Sequence, residues 1–373
     1  MLMKNMQRLT SAPDEAYTRQ QRNVRRQSPA PGGPRATERA VADGLRRAAP
    51  VVLAVSGGRD SVALLCAAAR AAPGCVAAVA TFDHGTGSAS AAAANLVADY
   101  ARKYRMACRR GRAPGPVVPT EASWRAERWR FLRETAAAVG ARAIVTAHTR
   151  DDQVETVFIR VLRQAGTRGL AALDIDSDVV RPWLATPRAA VAAFAAIHGL
   201  RYVEDPSNAS RAFLRNRVRL DLLPALRAAH PGFDDDLLAL GAAAASWRRS
   251  AEGLVGGAYP LRVGVDGVSI AAGDLAQYDG DSLAVVWPVI AARAGVTLDR
   301  RGTARLATFT RCARVGGVMQ VSGGFEVLRS RFSWVVRRPG YVPVPLRERH
   351  GRGIPPLVEG EAIRWVRPAA PGL

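Results

Sequence analysis

The sequence predicts an α/β fold, a doubly wound parallel sheet followed by a smaller, mainly helical domain, on three observations. Short apolar runs rich in β-branched residues alternate with helically spaced apolar residues between Val51 and Leu223. The first run, Val51 to Val55, passes directly into Ser56-Gly57-Gly58-Arg59-Asp60-Ser61, after which apolar residues recur at helical intervals to Ala69. From Ala225 the composition shifts towards longer helices. Regular alternation of strand and helix implies crossovers that cover both faces of a parallel sheet.

Residues 1–38, rich in Arg, Gln, Ser, Pro and Gly, read as a disordered basic tail. An amphipathic segment from Ala36 to Ala49 leads into the first strand. In the turn that follows, two glycines let the backbone approach a ligand, and the first amides of the next helix favour an anion. A tight connection with Ser61 as N-cap explains the same residues without a ligand. A second strand, Cys75 to Phe82, ends at Asp83-His84-Gly85 and precedes an alanine-rich helix, Ala89 to Tyr104. Asp83 and His84 thus fall at the carboxyl end of a strand, where open parallel sheets gather ligands.

A third strand is expected at Arg105 to Arg110 and a helix at Glu121 to Val139. On that helix Trp124, Arg128 and Phe131 share one stripe and Arg125, Trp129 and Leu132 another, a pattern suited to base stacking or to core packing with snorkelling arginines. The fourth strand, Ala143 to Ala147, ends at His148. Thr149 then suits an N-cap with Asp152 three residues on. Asp151, Asp152 and Glu155 are also oxygen donors suited to magnesium. Their helix is expected to turn Val157, Ile159, Val161 and Leu162 inwards. A fifth strand at Val179 to Leu184 precedes a helix opened by Thr186-Pro187 and closed by Gly199. The turn-rich Tyr202 to Asn208 leads to a helix from Arg211 to Leu223 bearing Arg211, Arg215, Asn216, Arg217 and Arg219, with Pro224 as its end. The expected boundaries are therefore 39–224 for the α/β domain, 225–338 for a helical or α+β domain rich in surface arginine (Arg300, Arg301, Arg305, Arg311, Arg314, Arg329, Arg331, Arg337, Arg338), and 339–373 for an irregular tail.

The formal charge is +21 over 373 residues, which attracts polyanions and makes nucleic acid the first partner to consider. Lys4 and Lys103 are the only lysines among 53 basic residues, so phosphate contacts fall to arginine and a Walker A loop, which needs Gly-Lys-Ser/Thr, is excluded. Cys66, Cys75, Cys108 and Cys312 form no Cys-x-x-Cys pair, arguing against zinc, iron–sulfur or disulfide scaffolds. With no apolar run long enough to cross a membrane and no secretory hydrophobic core, a cytoplasmic protein without a membrane partner is expected.

Ser56 to Ser61 matches the Ser-Gly-Gly-x-Asp-Ser signature of the N-type ATP pyrophosphatase (PP-loop) superfamily, whose fold is adenine nucleotide alpha hydrolase-like. Within it, Asp83-His84-Gly85, RAERWRFL from Arg125, AHTRDDQVETVFIRVLRQAGTRGLAAL from Ala147, Arg181-Pro182-Trp183-Leu184 and EDPSNASRAFLRNRVRLDLLP from Glu204 resemble bacterial tRNA(Ile)-lysidine synthetase. The resemblance covers about residues 45 to 230. It implies that ATP and magnesium serve to adenylate the C2 oxygen of the wobble cytidine in tRNA(Ile) with a CAU anticodon, after which free L-lysine attacks and AMP leaves.

The same resemblance assigns roles. Ser56, Gly57, Gly58, Arg59, Asp60, Ser61, Asp83 and His84 bind ATP, and Asp60 and Asp152 hold magnesium. Asp60, Asp152, Glu155 and Arg217 carry catalysis, with Asp151, Asp152 and Glu155 divided between metal and lysine. His148, Asp151, Arg215, Asn216 and Arg217 meet the RNA or the amino acid. Thr86-Gly87 replaces the family's usual Leu-Arg, and the longer members' C-terminal tRNA-recognition domain is expected to be missing or degenerate. A homodimer is left open, as are a tRNA thiolase of the same superfamily and a non-catalytic basic RNA-binding protein.

Overall fold

A computed structural model of the chain describes residues 33–339, apart from 86, 114–120, 175–176, 205–208 and 265–266, together with 342–344 and 364–366. Most of the expected basic tail, Thr86, the Asp205-Pro206-Ser207-Asn208 turn and most of the expected irregular tail lie outside the described residues. The chain divides into two compact units, residues up to 153 with 176–217, and residues 154–175 with those from 218 onwards.

The first unit is built on five strands: β1 (Val51–Ala54), β2 (Val76–Asp83), β3 (Cys108–Arg112), β4 (Ala143–Val145) and β5 (Val179–Val180). All pair in parallel, in the order β3-β2-β1-β4-β5. Alternation along β1 supplies both faces. Val51, Leu53 and Val55 enter one core with Val41 and Leu45 of α1 (Pro34–Ala48), Val62 and Leu65 of α2 (Arg59–Ala71), Val97 and Tyr100 of α3 (Ser88–Lys103) and Phe194 of a later helix. Val52 enters the opposite core with Ile144 and with Leu132 and Ala136 of α4 (Glu121–Ala138). The doubly wound sheet is therefore as expected, and β1 with β4 forms its switch point. After β4 come α5 (Arg150–Leu162), α6 (Arg188–Ile197) and the short α7 (Leu214–Arg217).

Several element bounds differ from the sequence reading. Helix α1 begins at Pro34, where a first-turn proline loses no hydrogen bond. Arg105 is left-handed (φ 56°) where the chain leaves α3, so β3 starts only at Cys108. The fifth strand stops at Val180 because Arg181-Pro182 turns the chain, with Leu184 N donating to Arg181 O and Thr186 N to Trp183 O. Trp183 lies buried there and its Nε1 donates to Thr37 O of α1 at 3.0 Å. The last turn of α5 leaves Val161 and Leu162 exposed and Ile159 half-buried, so of the expected inward residues only Val157 is buried.

The second unit carries β6 (Arg262–Gly264), β7 (Gly267–Ala271), β8 (Val318–Val321), β9 (Phe325–Arg329) and β10 (Ser333–Arg337) in an antiparallel sheet of order β6-β7-β10-β9-β8. Its core joins Val268, Val327, Trp334 and Val336 of the sheet to Val255 of α8 (Phe233–Ala258), Leu283, Trp287 and Ile290 of α9 (Gly280–Arg293), and Leu306 of α10 (Arg300–Cys312). Asp279 and Asp299 cap α9 and α10 through the amides of Ser282 and Gly302. The expected end at Pro224 is not seen. A π-helical stretch, Val218–Leu222, passes into a helix at Leu223–Ala229 with the proline in its first turn, where an N–H is not needed. Arg300, Arg301, Arg305, Arg311 and Arg314 are exposed as expected. Arg337 instead pairs with Glu326 at 3.0 Å, and Arg329 stacks on Trp334 with 5.1 Å between guanidinium carbon and ring.

Candidate active site

The loop after β1 owes its shape to glycine and to one hydroxyl. Gly57 has φ +87°, and a Cβ there would lie 2.7 Å from the Ala93 Cβ and 2.9 Å from the Ala93 oxygen. Ser61 accepts from the Ser56 amide at 3.2 Å and donates to Gly58 O at 2.8 Å, tying both limbs of the turn. Ser61 is thus a clamp inside α2 rather than its N-cap. The N-cap is Gly58, and no side chain fills the first-turn amides. Those amides and the positive end of a 13-residue helix make an anion cradle at the carboxyl edge of the sheet.

Next to the cradle stands a carboxylate–arginine cluster. Asp60 Oδ1 accepts from Arg59 Nε at 3.0 Å, and its Oδ2 lies 3.8 Å from Arg188 Nε. Burial raises the pKa of Asp60 and the neighbouring Asp152 adds to this, against the pull of Arg59 and Arg188. Asp152, at the start of α5, forms the expected capping box. Its Oδ2 accepts from the amide and hydroxyl of Thr149, each at 2.8 Å, while Oδ1 accepts from Arg188 at 2.9 Å and Arg215 at 2.8 Å. Burial opposes its ionisation, but Arg188 and Arg215 outweigh that cost and hold its pKa at about 2. Asp151 points elsewhere, accepting from the backbone amide of Arg188 at 2.8 Å and so capping α6.

His148 Nδ1 lies 2.7 Å from Thr146 Oγ1. Burial, with Arg181, Arg215 and Arg128 nearby, lowers its pKa to about 4 despite Asp152, so the ring is neutral at neutral pH. One strand away from the loop, at the end of β2, Asp83 accepts from Ser90 Oγ at 2.6 Å and Gly85 N at 2.8 Å, with Arg112 at 3.7 Å. These partners overcome burial and keep its pKa low. Phe82 and Phe131 close over Gly111, where a Cβ would meet both rings at under 3 Å.

Of the expected site residues, the structure brings Asp60, His148, Asp152 and Arg215 near one another within the first unit, Asp60 lying in the turn Ser56 to Ser61. Asn216 donates to Ser210 O at 2.8 Å and fixes the loop before α7, while Arg217 is exposed. Glu155 belongs with the second unit's residues, where Arg219 grips it with two hydrogen bonds of 2.7 and 3.0 Å. Of the three carboxylates expected to serve magnesium, Asp151 accepts from the Arg188 amide, Asp152 from Thr149, Arg188 and Arg215, and Glu155 from Arg219. Among the described residues no cluster of three or more His, Cys, Asp or Glu is placed to hold a metal. Asp60, whose Oδ2 has an ion pair without a hydrogen bond, is the residue of the expected pair that fits magnesium. Arg188 escaped the sequence reading. The signal was available in its position beside Pro187, at the carboxyl edge after the fifth strand.

The sequence profile of the PP-loop domain matches residues 34–226. A tRNA(Ile)-lysidine synthase of Salinispora tropica is 42% identical over 203 residues, covering 50% of this chain and 60% of that protein. The corresponding protein of Salinispora arenicola is 41% identical over 215 residues, 54% of this chain and 64% of its own length. That of Rhodopseudomonas palustris is 42% identical over 194 residues, 49% and 56% respectively. The aligned part thus spans somewhat under two thirds of each of these relatives. No described helix is long and apolar enough to cross a membrane.

Proposed function

The chain belongs to the PP-loop family, and from that premise we propose that it ligates L-lysine to C2 of the wobble cytidine of a CAU-anticodon tRNA(Ile), in the cytoplasm, through an adenylated cytidine formed from ATP. The observation that carries this reading is the hydroxyl-clamped turn Ser56 to Ser61 with the Asp60–Arg188–Asp152 cluster, in a chain 41–42% identical over about half its length to two lysidine synthases.

In this reading the amides of the turn and the start of α2, with Ser56 and Ser61, take the pyrophosphate end of ATP. Magnesium held at Asp60 would neutralise charge that builds on the leaving pyrophosphate. Arg59 sits against Asp60 and faces the same anion, and Asp83 with His84 borders the nucleotide one strand away. Asp152 orients Arg188 and Arg215, and Arg215 with the exposed Arg217 meets phosphate or cytidine. Neutral His148 adds no further positive charge beside Arg215 and Arg181. Catalysis on this view rests on positioning and charge, as phosphoryl and adenylyl transfers require. Residues 225–338 serve as the tRNA-contacting domain, supported by their exposed arginines.

The test is incubation with CAU-anticodon tRNA, ATP and labelled lysine. ATP-dependent label in the RNA is expected, and its absence with active wild-type protein would overturn the assignment.

A further inference from the structure

The sheet of the second unit carries an aromatic ring on a braced turn at one of its ends. β9 stops at Arg329 and β10 starts at Ser333, and Ser330, Arg331 and Phe332 join them. Phe332 is 75% exposed, more than any other large apolar side chain among the described residues. A single exposed apolar residue is ordinary on a protein surface, so its mounting decides what it means. The Ser330 amide donates to Ser333 O at 2.8 Å, the Ser333 amide donates to Ser330 Oγ at 3.0 Å, and the two hydroxyls lie 2.8 Å apart. The Ala272 amide donates to Phe332 O at 2.8 Å, and Arg329, which stacks on Trp334, donates to Ser330 O at 2.6 Å. The backbone that carries the ring is therefore fixed before any partner arrives, and docking on it orders little further.

Cationic side chains flank that ring. Arg331 lies over it, 5.2 Å from guanidinium carbon to ring centre, and has no carboxylate partner among the described residues. The Gly316 amide donates to Arg329 O at 2.7 Å and brings the exposed Arg314 to the same end of the sheet. We propose that Phe332 and Arg331 form a stacking platform for an unpaired base of RNA, with Arg331 and Arg314 drawing the phosphates beside it. This rests on the reading of the second unit as RNA-contacting and names a contact within it. Each nucleotide of a single strand brings both partners the turn calls for, a planar face for the ring and a phosphate for a guanidinium. A duplex keeps its bases stacked on one another and offers phosphate alone, and an acidic peptide offers charge without a plane at each position.

The experiment is a binding titration of the full chain, without ATP or lysine, against two probes: an RNA hairpin whose loop is adenine only, and a blunt duplex of the hairpin's stem sequence. Wild-type protein should bind the hairpin more tightly than the duplex. Phe332→Ala should weaken hairpin binding about tenfold or more and leave duplex binding unchanged, whereas Phe332→Trp should keep the hairpin affinity. Arg331→Ala should weaken both and lower the salt slope by about one. Because the Phe332 ring is exposed, its variants should keep the wild-type circular dichroism. The proposal is overturned if Phe332→Ala leaves hairpin binding unchanged or weakens both probes alike, or if Phe332→Trp binds the hairpin as weakly as Phe332→Ala. Wild-type binding that ignores Phe332 removes this contact and leaves the RNA-contacting reading standing, while a wild-type protein that binds neither probe removes both. The adenine loop is no substrate for lysine ligation, so the outcome stands apart from that of the lysine-labelling assay.

Discussion

Gly57→Ala tests the architecture of the nucleotide loop at a single carbon. Two costs follow from the coordinates. Alanine at φ +87° enters the left-handed region, at about 1–2 kcal/mol. Its Cβ would meet the Ala93 Cβ at 2.7 Å, the oxygen at 2.9 Å and the Cα at 3.0 Å, two of these being backbone atoms of α3 that cannot rotate away. Overpacking of that kind costs about 1–3 kcal/mol. The expected destabilisation is therefore about 2–5 kcal/mol, measured as the shift in urea midpoint at constant slope. Ala93→Gly in the same protein should recover only the share due to the Ala93 Cβ, since the backbone contacts and the positive φ persist. The reasoning is refuted if Gly57→Ala alone unfolds within about 0.5 kcal/mol of wild type.

Asp60→Asn should abolish pyrophosphate release from ATP in the presence of tRNA while leaving the fold intact by circular dichroism, and full turnover would remove Asp60 from the metal. For His148 the folded pKa of about 4 lies below the ordinary 6.5, so between these values the unfolded chain binds the extra proton. Stability should therefore rise with pH across that window, by about 3 kcal/mol in total, and His148→Gln should flatten this part of the profile. Asp152, held at about 2, adds a further loss only as the pH falls below 3.8. Glu155→Gln should destabilise the protein by about 3 kcal/mol by leaving Arg219 with half its grip, and an unchanged melting temperature would show that the pair does not hold the π-helical stretch.

What the sequence made legible was local. The turn at Ser56 to Ser61, the capping relation of Thr149 and Asp152, and the strand–helix alternation each lie within a few residues, where period and propensity operate. The pairings were not legible, because they join residues 36 and 63 positions apart in a chain where arginine is everywhere. Any of a dozen guanidiniums could have been matched to Asp152 on charge alone. Only the crossover through β5 selects Arg188, and only α7 selects Arg215. The early end of β5 and the passage through Pro224 escaped for a related reason: apolar content continues through both, and backbone hydrogen bonding decides where strand and helix stop.

The single hydroxyl of Ser61 has a consequence for affinity. Because it holds Ser56 and Gly58 together within the chain's own hydrogen bonds, the loop carries its anion-receiving shape before any anion is present. Binding then need not spend interaction energy on ordering six residues of backbone, and the attraction of the amides is realised almost in full. A short turn stiffened from within can in this way hold a polyphosphate without the lysine on which Walker-type loops depend.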